Sequence, residues 1–175
     1  MTKSTFLGQI GNFLLYITLQ LAVAQWMVRL PIATCYLYVG FLLGLPTRPS
    51  SLPRLLCLGF AVGLLVDVLY NCLGVHAFAV VLMMYSRAFL LKLLLPAGEY
   101  GTEVLPTWRN MGWWRFSVFA LLLIGLHHTA LFLLEAWDRT LLWVSLRKAL
   151  ASTGLTYGAL CVVQGIVLWF HKKQN

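Results

Sequence analysis

Charge is what this sequence has least of. Its 175 residues include 13 lysines and arginines and five acids, so 10% of the chain is charged and 61% is apolar. An average soluble domain is about 25% charged and about 45–50% apolar, which at this length means roughly 44 charged side chains. A soluble fold of this size buries only about 70% of the surface its unfolded chain exposes, too little to hide so much apolar area. Disorder is excluded by the same figures, because disordered chains are rich in charge and poor in aromatic and branched residues. Cysteine is sparse too. Cys35, Cys57, Cys72 and Cys161 form no CxxC pair, and they read as small apolar residues rather than a disulfide framework or zinc ribbon, with Cys72 alone placed to reach water. A glycine-rich phosphate loop, a Ser-His-Asp arrangement and an HExxH motif are also missing, so no catalytic residue, cofactor site or metal site is expected. What remains is an all-α polytopic membrane protein.

Six apolar runs are present: Phe6–Val28, Pro31–Leu45, Leu55–Tyr70, Val75–Leu95, Trp113–Glu135 and Leu150–His171. Each predicts a spanning helix of a single transmembrane domain, residues 1–175, although the second and third fall near or below the usual 17–25 residues. Pro46, Pro49, Ser50, Ser51 and Pro53 separate the second run from the third, and Asn71–Gly74 joins the third to the fourth as a tight hairpin. Thr140–Ala149, with Arg147 and Lys148, is expected to lie along the interface before the last span. Lys3, the first run and Ala22-Val23-Ala24-Gln25 imitate a signal peptide, but an uncleaved first span is the expectation.

Orientation follows from basic residues, which favour the cytoplasmic side. With six spans, nine of the 13 fall on the side of the two termini, among them Lys3, Arg48, Arg109, Arg115, Lys172 and Lys173, against Arg29, Arg139, Arg147 and Lys148 opposite. Both termini are therefore predicted to be cytoplasmic. Topology accounts for the net charge of +8, and no nucleic-acid partner is implied.

Small residues recur four apart at Gly40/Gly44, Gly59/Gly63 and Gly154/Gly158. This spacing lets another helix approach closely, either within the chain or from a partner. Gly59, Gly63, Asp67 and Asn71 lie on one stripe of the third span. A carboxylate at membrane depth costs about 2.5–3.5 kcal/mol, so Asp67 should face protein or water. His76, just past the hairpin, is its expected partner, and His76 and Arg87 share a face of the fourth span. On the fifth span His128 and Glu135 are seven apart; Glu135 is expected to pair with Arg139 or Arg147, and the histidines to bond across helices. Asp67, Asn71, His76, His128, Glu135 and Arg147 thus read as a structural polar set or as the lining of an outer pocket.

Gly59-Phe60-x-x-Gly63-Leu64-Leu65-x-Asp67, the short hairpin and Gly74-Val75-His76-Ala77 resemble the central signature of the MreD family of rod shape-determining proteins. His127-His128 and Leu131-Phe132-Leu133-Leu134-Glu135-Ala136 look like the version found in Bacteroidetes-type bacteria. The resemblance implies a non-catalytic inner-membrane scaffold of the cell-wall elongation machinery. Its implied partners are the single-span protein MreC, the MreB filament system, a SEDS-type glycosyltransferase and its penicillin-binding transpeptidase. Membrane lipid and a second copy of the chain are further expected contacts. The architecture is also similar to substrate-binding subunits of energy-coupling-factor transporters, so a vitamin- or metal-binding transporter subunit stays open as the alternative.

Overall fold

The computed structural model describes residues 3–27, 32–46, 52–95, 105–136 and 141–174. They form seven helices, α1 (Lys3–Met27), α2 (Tyr38–Leu43), α3 (Leu52–Tyr70), α4 (Val75–Leu94), α5 (Trp108–Met111), α6 (Trp113–Glu135) and α7 (Leu142–Gln174), and no strand occurs among the described residues. Helices α3, α4, α6 and the Leu142–Ile166 part of α7 are long and apolar enough to cross a membrane. At 1.5 Å per residue, about 20 residues match a hydrocarbon layer of about 30 Å. Helix α1 has 25 residues and carries Gln9, Asn12 and Gln20 within its apolar run.

Three expected boundaries change. Pro31–Leu45 is not one helix: residues 33–36 are not helical and α2 has six residues, a length of about 9 Å. Pro53 opens α3 rather than breaking the chain, because the first turn of a helix leaves its N–H groups unbonded anyway. Thr140 lies outside the described residues, and the rest of the expected interfacial stretch is the start of α7. No proline or glycine falls between Leu142 and Thr153 to interrupt that helix, so it runs on.

Helix α4 is the hub. It packs on α2, α3 and α6, while α7 packs on α6 and α1 on α2. Its buried stripe of His76, Ala77, Ala79, Val80, Met83, Met84, Arg87 and Leu91 follows helical spacing. Against α3 the backbones nearly touch. A Cβ on Gly63 would overlap Ala77 Cα and stand 2.8 Å from its nitrogen, and one on Gly59 would stand 2.9 Å from Met84 Cγ. The small-residue stripe of α3 is therefore filled by the chain's own next helix. At the opposite end of α6, Ser117 and Tyr157 hydroxyls meet at 2.6 Å and tie α6 to α7.

Candidate functional site

The hairpin between α3 and α4 is built around Asp67. Asn71, with φ 54°, ends α3 in the left-handed region, which asparagine tolerates better than most residues. The Cys72 N–H then donates to the Asp67 carbonyl at 2.9 Å, a six-to-one closure of the Schellman type. Gly74, φ 78°, turns the chain into α4. There the Asp67 carboxylate accepts the first free amides of the new helix, His76 N–H at 2.9 Å and Ala77 N–H at 3.0 Å. A helix N-terminus offers unbonded donors and a positive dipole end, so a carboxylate satisfies both. The expected Asp67–His76 contact thus exists, but it runs to the backbone of His76 and leaves the imidazole for other partners.

That imidazole faces a polar cluster formed around the non-helical segment 33–36. Buried backbone outside a helix requires other partners for its N–H and C=O groups. Thr34 N–H donates to Ser152 Oγ at 2.9 Å and Tyr36 N–H to Thr156 Oγ1 at 3.2 Å. On the other flank Gln20 accepts from Tyr38 N–H at 3.3 Å and donates to the Cys35 carbonyl at 3.3 Å and to the Tyr70 hydroxyl at 2.7 Å. Side chains of α1 and α7 therefore replace the helix hydrogen bonds that this segment lacks.

The histidines complete the cluster. Tyr38 Oη lies 3.2 Å from His76 Nδ1 and 2.7 Å from His127 Nε2; a hydroxyl has one proton, so it donates to one ring and accepts from the other. His128 Nδ1 lies 2.8 Å from the Ile124 carbonyl and its Nε2 3.2 Å from Thr156 Oγ1. A carbonyl only accepts, so Nδ1 carries the His128 proton and Thr156 donates to Nε2. The Tyr36 ring stands edge-on to His76 at 5.1 Å and close to His128 at 5.4 Å. Among the described residues, His127 Nδ1 is buried without a hydrogen-bond partner.

Eleven residues along α4 from His76, Arg87 is 2% exposed. Its guanidinium donates to the carbonyls of Leu43, at 3.4 Å, and Leu45. These lie at the C-terminal end of α2, where a cation suits both the free carbonyls and the dipole. One buried charge thus holds the start of a helix and the other holds the end of one.

The remaining expected site residues divide. Asn71 lines an open groove of about 490 Å³ with Leu73, Gly74, Val75, Phe78 and Leu134, whereas Asp67, His76, His128, Glu135 and Arg147 do not. His128 is buried and Glu135 exposed, so seven-residue spacing does not bring them together. Lys148 is the cation whose charge acts on Glu135, while Arg147 lies over the Trp143 ring at 5.1 Å. Arg139 falls outside the described residues. Gly40 is pressed between Leu160 and Tyr16, Gly44 meets its own helix at Gly40 O, 3.3 Å away, and Gly154 and Gly158 have nothing within 4 Å. Sequence reasoning missed Gln20, Tyr36, Tyr38, Ser152 and Thr156; a signal was present in Ser152 and Thr156, two hydroxyls one turn apart in an apolar run.

One group of described side chains has metal-ligand chemistry: Asp67, Cys72 and His76 each bring a ligand atom within 4.8 Å of the others. Cys72 lies between the spans, where burial pushes its thiol above the usual range, with the charges of Glu135 and Asp67 acting the same way. The chain matches no protein-family profile, no curated protein and no solved structure.

Proposed function

We propose that this chain is a non-catalytic subunit of the bacterial inner membrane, of the MreD kind, that scaffolds the cell-wall elongation machinery by holding the transmembrane helix of an MreC-type partner. The observation that carries this reading is what the motif residues do. Gly63 and Asp67, two of the residues on which the resemblance rests, are engaged in building the hairpin, as expected of a signature that specifies a scaffold. His127 and His128 are likewise engaged with Tyr38 and Thr156. In this reading six spans leave both termini cytoplasmic and the Asp67 hairpin at the outer face. The partner helix lies on α7, where Gly154 and Gly158 are exposed with open space around them, and not on α3, whose glycines face α4.

Purification from membranes in mild detergent tests the proposal. Co-elution of a single-span MreC-type protein, with rounding of rod-shaped cells on depletion, is the expected result. Co-elution of an energising ATPase module with a bound small solute would replace it by the transporter-subunit reading. Unchanged cell shape after full depletion would overturn the scaffold role.

A further inference from the structure

We propose that Asp67, Cys72 and His76 form a binding site for a divalent metal ion of the zinc class, with one coordination position left open to solvent. The three residues come from the end of α3, the hairpin and the first turn of α4, and their ligand atoms lie within 4.8 Å of one another. A carboxylate oxygen, a thiolate sulfur and an imidazole nitrogen form a mixed set that zinc accepts, whereas magnesium and calcium demand oxygen throughout. Tetrahedral zinc with bonds of about 2.0–2.3 Å sets its ligands roughly 3.3–3.8 Å apart. Closure by up to about 1.5 Å is therefore required, and rotation of the half-buried Cys72 side chain, resting at 3.6 Å from the Tyr70 carbonyl, brings the sulfur in.

The other two ligands are already held. Each Asp67 oxygen accepts one amide and keeps further lone-pair capacity, since an ionised carboxylate offers about four acceptor sites. The His76 ring is oriented by the Tyr38 hydroxyl at Nδ1, the kind of outer contact that fixes metal-bound imidazoles. Charge also balances. A dication with one carboxylate and one thiolate leaves the site neutral, which suits the apolar residues around it, and the thiol proton departs to solvent on binding. This inference stands whatever partner the protein has.

The test uses the full chain in detergent, stripped with a chelator, given Zn²⁺ and desalted. Wild type is expected to keep about one zinc per chain, and Cys72→Ser less than a tenth of that. With Co²⁺ as the probe, wild type should show a near-ultraviolet thiolate-to-cobalt absorption that Cys72→Ser lacks. Equal retention by both proteins, or none by wild type, would overturn the site. Alkylation of wild type by N-ethylmaleimide needs no variant: Zn²⁺ should slow Cys72 at least ten-fold and leave Cys57 on α3 unchanged. Equal rates at Cys72 with and without zinc would overturn it as well.

Discussion

Two glycine pairs with the same spacing have opposite roles in this molecule. Gly59 and Gly63 are buried, and side-chain atoms added there would meet α4. Gly154 and Gly158 are exposed, and atoms added there would meet nothing. The spacing alone says only that a helix has a smooth face. What separates the pairs is the next residue along the stripe. Four residues past Gly63 stands Asp67, which locks α4 in place through two amides. Four past Gly158 stands Val162, 62% exposed, which fixes nothing. Of these two faces, the one whose stripe carries a polar anchor is closed by its own chain, and the one without it is open.

Substitution on the closed face should have the largest effect. Gly63→Leu places its Cβ against backbone at Ala77, which has no rotamer to yield, so no monodisperse protein is expected by size-exclusion chromatography. Gly59→Ala meets the flexible Met84 side chain and should be milder, a difference that sharpens the contrast within one helix. Next comes Asp67→Ala, which strips two amides of a charged acceptor at a helix start. A loss of about 2–4 kcal/mol is expected, seen as a lower melting temperature in detergent, with Asp67→Asn keeping part of it. Thr156→Val removes the donor to His128 and the acceptor for Tyr36 N–H. Its expected cost is about 1–3 kcal/mol; an unchanged melt would mean that the segment 33–36 does not depend on α7. The smallest effect is expected on the open face. Gly154→Ala and Gly158→Ala should leave the melting temperature unchanged or raise it slightly, since alanine favours a helix by up to about 1 kcal/mol.

Hydropathy made much of this arrangement legible. Helix α6 occupies the expected Trp113–Glu135, and the hairpin, Asp67 and its link to His76 stand where spacing put them. The segment 33–45 did not read correctly because hydropathy registers burial, not backbone conformation. A buried non-helical stretch and a buried helix look alike unless their hydrogen-bond partners are known. Those partners lie far off in the chain: Thr34 bonds to Ser152 and Tyr36 to Thr156. Tyr38 and His127, 89 residues apart, were beyond any local pattern. Glu135 is a different case: Arg147 lies over the Trp143 ring, while Arg139, its other expected partner, falls outside the described residues.

Site-directed photocrosslinking in membranes tests the central claim most directly, that α3 is closed by the chain itself while α7 is open to a partner. A crosslinking residue at Val162 or Leu155 on α7 should form an adduct with a single-span MreC-type protein. One at Phe60 or Leu64, exposed on α3 beside the buried glycines, should form none. Adducts from α3 and none from α7 would contradict the account.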